Sequence, residues 1–337
     1  MVSVIIPVFN GAAHVEGCIR SVMMQTYDNL EIIIIDDGST DESYQICSGL
    51  AKEDDRIRLV HQENAGVSES RNRGMAMARG TYISFVDADD FLPADAIRLL
   101  MDNIRAMNSD MAIGAYMLFR WHYSRYVGFG SKQLSSESIR SNVEQVRDSL
   151  LSPWGRLYKK EIIDQWNIRF DRDIPYGEDH IFNLKYCSKV KSISTVENVV
   201  YRYRMGGYAS TVKYYPNKDL FAWELIHAYD EFFGENEVLQ VTRSRILKST
   251  LMDCFIHYIV NGRSQEAKVN LQKTLQTFSP YINGPMIDAA VFGAELAMEI
   301  LQRNADGIYA RIYRQKFVLI TKKKIKRLYY KIFRKRI

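Results

Sequence analysis

The sequence predicts an α/β fold, in which a mixed, mainly parallel sheet is flanked by helices and followed by a helical C-terminal domain. Short apolar runs alternate with segments of helical periodicity through the first hundred residues. The run IIII at residues 32–35 is apolar on both faces, which is typical of a parallel strand covered on both sides. Beyond Pro216 the patterns are almost only helical.

The first part of the chain reads as alternating strands and helices. Strands are predicted at residues 2–8, 31–36, 57–61 and 81–87. Helices fill the intervals between them, and Ser39 with Glu42 has the spacing of a capping box for the second helix. We expect the third helix to end at Gly80 and the fourth to begin at Pro93.

After the fourth helix, strands and helices no longer alternate regularly. The sequence predicts a strand at 110–119, helices at 136–151, 152–163 and 176–186, and a strand at 196–205. From this pattern we predict an α/β domain at 1–215, a helical domain at 216–315, and a basic amphipathic tail at 316–337.

The composition is that of an ordered globular protein, with 47% hydrophobic and 25% charged residues. The N-terminus reaches Pro7 before it builds an apolar segment as long as that of a signal peptide, and no run of about 18 uncharged apolar residues follows. The four cysteines are scattered without zinc-binding spacing. We therefore expect a cytoplasmic protein with reduced thiols and no spanning helix.

Acidic residues follow two of the predicted strands. Asp36 and Asp37 end one strand, and Asp87, Asp89 and Asp90 end another. Because the carboxyl ends of parallel strands face a common crevice, we expect these groups to be neighbours. Asp87 and Asp89 would offer hard oxygen ligands to Mn²⁺ or Mg²⁺ beside a diphosphate. The alternative is that Asp89 or Asp90 only caps the following helix.

A second acidic pair, Glu178 and Asp179, stands at the predicted start of a helix. A carboxylate there is a candidate general base that accepts a proton from an attacking hydroxyl. The alternative is that the two acids only complement the helix dipole.

Several short motifs occur in one order along the chain: PVFN, QTY, DDGSTD, GVSESRNRG, DADD and a distal GED. In this order they resemble the family 2 glycosyltransferases with a GT-A fold, a Rossmann-like arrangement. The resemblance covers about residues 2–95 and returns around 153–204. It implies an inverting, metal-dependent transfer from a nucleotide-activated sugar, with UDP-sugars favoured as donors, by a hexosyl- or N-acetylhexosaminyltransferase. It also implies that 1–215 is the catalytic domain, with a nucleotide-binding half at about 1–95 and an acceptor half at about 96–215.

The resemblance also implies a role for individual residues. Asp179 would be the catalytic base, Asp37 would bind the nucleobase, and Asp89 with Asp87 would hold the metal. Arg71 would lie near the base or the diphosphate, and Glu178 would contact the acceptor. The nucleotide-sugar site would be lined by the following residues: Pro7, Val8, Phe9, Asn10, Asp37, Arg71, Asp87, Ala88, Asp89 and Arg204.

Two further residues have competing interpretations. Trp154 is a candidate platform for an acceptor sugar ring, or a residue at the edge of the core. Arg204, close to two glycines, is a candidate clamp for the diphosphate, or a surface arginine on a strand.

The tail at 316–337 holds ten lysines and arginines and no acid, so the positive charge of the chain is local. Ile325, Leu328, Tyr329 and Ile332 form an apolar stripe at helical spacing, as in helices that lie on membranes. We expect an anionic membrane surface as the partner rather than nucleic acid, because no nucleic-acid module precedes the tail.

The sequence thus predicts a peripheral enzyme on the inner face of the cell membrane that extends a lipid-linked glycan for surface polysaccharide. The alternative is a non-catalytic protein that binds a sugar nucleotide on the same fold. Two other enzyme classes are disfavoured, because the chain lacks both the glycine-rich phosphate loop of nucleotidyltransferases and the GxGxxG of hydride-transfer enzymes.

Overall fold

The structure is a computed structural model that describes residues 1–120, 123–135, 137–138, 150–174, 177–205 and 218–234, with the single positions 245–246, 269, 276, 300, 302 and 307. The chain divides into two compact units. The first comprises Met1–Tyr215 with Glu231–Phe233, and the second comprises Pro216–Asp230 with Gly234–Ile337. The predicted helix at 136–151, most of the helical domain at 216–315 and the tail at 316–337 lie outside the described residues.

The first unit is built on a mixed sheet. Its strands, within the described residues, are β1 (Val2–Val8), β2 (Leu30–Asp36), β3 (Ile57–His61), β4 (Tyr82–Phe85), β5 (Met111–Arg120), β6 (Tyr123–Val127), β7 (Lys132–Ser135), β8 (Arg156–Lys159) and β9 (Ser192–Arg204). Their order is β3-β2-β1-β4-β8-β5-β9-β7, and β6 pairs with β5. The four strands from β3 to β4 are parallel, β5 is parallel to β9, and β8 is antiparallel to both neighbours. The predicted mixed α/β fold is confirmed.

Helices cover both faces of this sheet. Among the described residues of the first unit, the helices are α1 (Val15–Met23), α2 (Ser43–Leu50), α3 (Val67–Met77), α4 (Ala96–Ala106), α5 (Lys160–Gln165) and α6 (Glu178–Cys187). A further helix, α7 (Lys218–Phe233), belongs mostly to the second unit. Alternate residues of β1 and β2, among them Ile6 and Ile34, share one core with the apolar faces of α1, α2 and α4. Ile5 points to the other face, where it contacts α3. No described helix has both the length and the apolarity needed to cross a bilayer.

The register of β1 and β2 brings their carboxyl ends level. Val8 lies opposite Asp36, and the Asp37 N–H donates to the Val8 carbonyl at 2.8 Å. The loops that follow are tied together, because the N–H of Asn10 donates to Ser39 Oγ at 3.0 Å and that of Thr40 donates to Asn10 Oδ1 at 2.8 Å. The PVFN and DDGSTD motifs therefore form one edge of the sheet.

The predicted capping box of α2 is wrong. The helix begins at Ser43 after Glu42, whose side chain forms no capping hydrogen bond. Ser39 Oγ is engaged instead by the loop after β1, where it accepts the N–H of Asn10. A tertiary contact has thus replaced the local one that the spacing indicated.

The predicted helix at 152–163 is also wrong in its first half. Residues Arg156–Lys159 form β8, and only Lys160–Gln165 are helical. The gap between β4 and β5 explains this, because β8 fills it with antiparallel hydrogen bonds to both strands. Two helix boundaries also shift: α3 ends at Met77 rather than near Gly80, and α4 begins at Ala96 rather than at Pro93.

Candidate active site

A buried arginine lies at the centre of the acidic groups that follow the strands. The guanidinium of Arg71, on α3, donates from Nη2 to Asp87 Oδ1 at 3.0 Å and from Nη1 to Asp179 Oδ1 at 2.6 Å. Nη1 also reaches Glu178 Oε1 at 3.2 Å, and the Phe170 ring centroid lies 5.2 Å from the guanidinium carbon. The structure therefore joins the end of β4 to the start of α6 through one side chain.

The charges in this cluster do not balance, since one guanidinium faces three carboxylates. Burial raises the pKa of Asp179 well above the ordinary value, and the negative charges of Glu178 and Asp87 raise it further, although the Arg71 charge opposes them. The pKa of Arg71 is raised by the same carboxylates. Asp87 and Asp179 keep side-chain exposures of 27% and 21%, so both reach solvent.

The loop after β4 is fixed by β9. The Asp87 N–H donates to the Tyr201 hydroxyl at 3.1 Å, and that hydroxyl donates to Asp90 Oδ2 at 2.8 Å. The Arg204 N–H donates to Asp90 Oδ1 at 2.7 Å, and its Nε donates to the Asp89 carbonyl at 3.0 Å. Asp90 is buried in this network, and burial together with the Asp87 charge raises its pKa to about 8.

A cavity of about 450 Å³ opens beside this loop. Asp89 and Arg204 line it together with His14 and Phe91. Burial and the charge of Asp87 raise the pKa of Asp89, whereas His14 and Arg204 lower it. The volume is within the range typical of small-ligand sites.

The carboxylates of the loop after β4 suit a divalent cation. Asp87 and Asp89 supply hard oxygens, and the repulsion between them would be relieved by a positive charge. Within the part of the chain that the structure describes, no three His, Cys, Asp or Glu residues are grouped closely enough to hold a metal by themselves. A cation here would therefore need oxygens from a bound ligand, and Asp87 already shares one carboxylate oxygen with Arg71.

At the predicted nucleoside end of the site, Asp37 is already engaged by the protein itself. Asp37 is buried and accepts N–H groups from Gln62, Ala65 and Gly66 at 2.7–2.9 Å. Its carboxylate therefore anchors the loop that precedes α3. Phe9, in contrast, has 51% of its surface exposed and presents a free ring face at the end of β1.

The neighbouring Asp36 is a structural residue. It is fully buried, and its Oδ2 lies 2.6 Å from His61 Nδ1 on the adjacent strand β3. Its Oδ1 has no hydrogen-bond partner among the described residues. The first acid of DDGSTD thus supports the sheet, whereas the second stabilises the loop.

Three predicted roles need correction. Trp154 is only 8% exposed and stacks on Tyr201 at 4.3 Å in the hydrophobic core, so it is not an open platform for a sugar. Glu178 is buried against Arg71 rather than open at the surface. Arg71, with a side chain 4% exposed, pairs with carboxylates rather than lying open to a base or diphosphate.

The sequence interpretation overlooked several residues of the site. Tyr201 connects Asp87 to Asp90, and nothing in its local pattern distinguishes it from the other tyrosines of β9. His14 and Phe91 line the cavity. The only available signal for them was adjacency to the PVFN and DADD motifs.

A family model described as glycosyl transferase family 2 matches residues 3–166. Among curated proteins, the chain is 34% identical over 214 residues to the glycosyltransferase GlyA of Streptococcus pneumoniae, which covers 60% of this chain and 30% of GlyA. It is 32% identical over 209 residues to the uncharacterized glycosyltransferase EpsJ of Bacillus subtilis, covering 60% of this chain and 61% of EpsJ. The chain thus spans less than two thirds of the length of these relatives.

The fold is also found in a solved structure. TarS of S. aureus, residues 1–349, in complex with UDP-GlcNAc superposes with a TM-score of 0.68 at 19% identity, covering 94% of this chain and 92% of that one. The same protein in complex with UDP gives a TM-score of 0.65 at 18% identity, covering 94% and 91%. These similarities confirm the fold.

Proposed function

We propose that this chain, whose residues 3–166 match the model of glycosyl transferase family 2, transfers a sugar from a nucleotide-sugar to a hydroxyl of a glycan acceptor with inversion. The curated relatives carry glycosyltransferase names. The similarity to a protein solved with UDP-GlcNAc supports a UDP-sugar, carrying a hexose or an N-acetylhexosamine, as the donor.

One observation carries the proposal. Asp179, at the start of α6, and Asp87, at the end of β4, contact the same guanidinium and both reach solvent. A base on the acceptor side and a carboxylate on the donor side are thereby held at the crevice where ligands bind in such sheets. An inverting transfer requires only these two functions.

The reaction is a single displacement. The acceptor oxygen forms a bond to the anomeric carbon while the bond from that carbon to the diphosphate oxygen breaks, and the electron pair leaves with the diphosphate. Asp179 takes the hydroxyl proton. Arg71 orients the Asp179 carboxylate through Oδ1.

The donor would lie along the edge formed by PVFN and DDGSTD. Phe9 provides an exposed ring for the base, and the backbone from Pro7 to Asn10 lines the nucleoside. Asp37 acts through the loop that it anchors, and any direct contact with the base would use its remaining lone pair. Ala88 lies between Asp87 and Asp89 on the side of the sugar phosphate.

A divalent cation, Mn²⁺ or Mg²⁺, would be held by Asp89 and Asp87 and would neutralise charge on the leaving diphosphate. Arg204 is fixed to the Asp89 carbonyl, and its remaining guanidinium donors suit a phosphate oxygen at the same place.

We place the acceptor on a lipid carrier and the enzyme at the inner face of the cell membrane, in the synthesis of surface polysaccharide. The basic tail at 316–337 supports this location through its charge and its apolar stripe. The predicted organisation into a catalytic domain at 1–215, a helical domain at 216–315 and this tail belongs to the same proposal.

The test is release of nucleoside diphosphate from a panel of UDP- and GDP-sugars with Mn²⁺ and a hydroxyl acceptor. We expect turnover with a UDP-sugar, and Asp179→Asn should lower kcat by about 10²–10⁴-fold because the base is lost. Asp102→Asn, an exposed carboxylate on α4, is the matched control and should leave kcat unchanged.

Two outcomes would contradict the proposal. Equal turnover of Asp179→Asn and wild type would remove Asp179 as the base. Tight binding of a UDP-sugar without turnover, with every acceptor of the panel, would favour the alternative of a non-catalytic protein that binds sugar nucleotides.

A further inference from the structure

A strip of arginine and aromatic side chains leads away from the cavity across the far end of the sheet. We define the strip by its five members, and they come from three strands and the loop after β4. They are Phe91, Phe119, Tyr126, Arg202 and Arg204. Phe91 and Arg204 also line the cavity beside Asp89, so the strip begins at the candidate active site.

Strand register places these side chains on one face. Met117 of β5 lies opposite Tyr126 on one side and opposite Arg202 on the other. Phe119, two residues further along the same strand, lies opposite Arg204. Side chains that are directly opposite in a sheet share a face, and so do residues two apart on one strand.

Each guanidinium group of the strip lies over one of its phenyl rings. The guanidinium carbon of Arg202 lies 5.7 Å from the Phe91 centroid, and that of Arg204 lies 5.0 Å from the Phe119 centroid. The two phenyl rings are themselves 5.1 Å apart. A guanidinium stacked on a ring is held in orientation while its edge remains able to donate to an anion.

Arg204 lies beside Asp89 and Asp90, which compensate part of its charge, whereas Arg202 has no such acidic neighbour among its described contacts. In the residues that the structure describes, neither strip arginine forms an ion pair with an acidic side chain, and neither do Arg120 and Arg125 of the adjacent β5–β6 hairpin. The Arg202 side chain is exposed, and Tyr126 is 47% exposed. An arginine without an acidic neighbour, beside accessible rings, favours a ligand that carries both anionic groups and flat apolar faces.

A glycan chain with acidic substituents has both features. Its sugar rings present apolar faces that stack on aromatic rings, and its carboxylates or phosphates accept paired hydrogen bonds from arginine. The strip crosses β6, β5, β9 and the Phe91 segment, a width of about 14 Å at the usual strand spacing.

We propose that the strip binds an anionic glycan, the acceptor chain, and guides its end to the cavity beside Asp89. The inference rests on the proposed function, since it names the chemical class of the acceptor for that site. Arg202 is a specificity residue in this arrangement, and it takes no part in the chemical step.

The test measures binding of an oligogalacturonate and of a neutral maltooligosaccharide of matched length to the full chain by calorimetry. We expect the anionic glycan to bind and the neutral one to bind at least tenfold more weakly. Arg202→Gln should raise the Kd for oligogalacturonate by about tenfold, because a charge-assisted pair is lost. Arg202→Lys should recover part of the affinity, since charge remains without the planar fork.

Arg125→Gln is the matched control. Arg125 lies opposite Leu118, so register places it on the other face of the same hairpin, and we expect less than about a threefold change in Kd because salt screens it. Equal losses in the Arg125 and Arg202 variants, or equal affinity for the two glycans, would overturn the proposal. So would binding of phosphatidylglycerol vesicles through Arg202 in place of the glycan.

Release of nucleoside diphosphate from a UDP-sugar, measured on the same preparations, separates this inference from the proposed function. Arg125→Gln should keep that basal release, because register places Arg125 on the other face of the hairpin, outside the strip. If wild type releases no diphosphate, the proposed function fails. If wild type releases it but ignores the anionic glycan, only the strip proposal fails.

Discussion

Arg71 has more negative charge around it than it can neutralise, and this sets the behaviour of the candidate base. Its two terminal nitrogens contact three carboxylates, and its own side chain is only 4% exposed. Of the three, Asp179 has a pKa raised well above the ordinary range by burial, although the Arg71 charge opposes the shift. Burial thus leaves Asp179 a stronger base than a solvated aspartate, while Arg71 orients it.

We expect this shift to appear in the pH dependence of turnover. Asp179 must be ionised to accept a proton, and a raised pKa means that ionisation is lost earlier as the pH falls. The acid limb of kcat against pH should therefore lie above about pH 4, where an ordinary aspartate titrates. Glu178→Gln removes a charge that raises the Asp179 pKa, so it should move this limb to lower pH.

The measurement is a pH series of initial rates for wild type and Glu178→Gln at saturating donor. An acid limb near pH 4 in wild type would contradict the raised pKa of Asp179. A limb that moves to higher pH in Glu178→Gln would show that the Glu178 charge does not raise that pKa.

At this scale the sequence predicted the strand-end acids well and the arginine poorly. Asp87, Asp89 and Asp179 stand where a strand end or helix start is visible in the pattern, and the structure brings Asp87 and Asp179 to one guanidinium. Arg71 and Asp179 are 108 residues apart, so no local pattern could connect them. The burial of Trp154 was equally invisible, because its stacking partner belongs to β9.

Among the elements, α3 depends on a close approach to the sheet. It carries Arg71, and Gly74 lies one turn further along. A Cβ atom at Gly74 would lie 2.4 Å from Ile5 Cγ2 on β1, closer than packed atoms allow. The missing side chain therefore sets the depth at which α3, and with it Arg71, lies against the sheet.

Gly74→Ala should lower the free energy of unfolding by about 1–3 kcal/mol, because the added methyl overpacks the contact with Ile5. Gly49→Ala, on α2, is the control. A Cβ there meets nothing within 4 Å, so the better helix propensity should raise stability by up to about 1 kcal/mol. Urea unfolding of both variants measures these changes. Equal changes in the free energy of unfolding would show that α3 can move away from Ile5 without cost.

Elements with a continuous apolar pattern were predicted reliably, whereas those defined by their partners were not. The runs that became β1 and β2 are buried on both faces and needed no partner to be recognised. β8 is four residues long and is a strand because β4 and β5 leave a gap with open hydrogen bonds on both sides. Its sequence alone fits a helix equally well, and the chain does become helical directly after it, in α5.

On the scale of the whole molecule, the uneven distribution of charge suggests where the protein works. The tail at 316–337 concentrates ten basic residues, and its structure lies outside the described part of the chain. Anionic lipid contributes about 1 kcal/mol for each basic residue near the surface, so the tail has enough charge for peripheral binding. The proposed lipid-linked acceptor would be found at the same surface.

Deletion of 316–337 should reduce sedimentation of the protein with phosphatidylglycerol vesicles, because both the charge and the apolar stripe are removed. Phosphatidylcholine vesicles serve as the control and should bind neither form well. Unchanged sedimentation would refute the role of the tail. A lower melting temperature with unchanged sedimentation would instead identify it as part of the folded structure.

The register of β2 is not fixed by alternation of apolar and polar residues, because its central residues are all isoleucine. Ile32 to Ile35 are buried on both faces, so sliding the strand by one residue would exchange one isoleucine for another at little cost. Polar residues at its two ends remove this ambiguity. Glu31 accepts Ser3 Oγ and the Arg79 N–H, both at 2.6 Å, and Asp36 meets His61. The carboxylates of Glu31 and Asp36 thus fix the register of β2, and with it the residue that lies at the edge of the crevice.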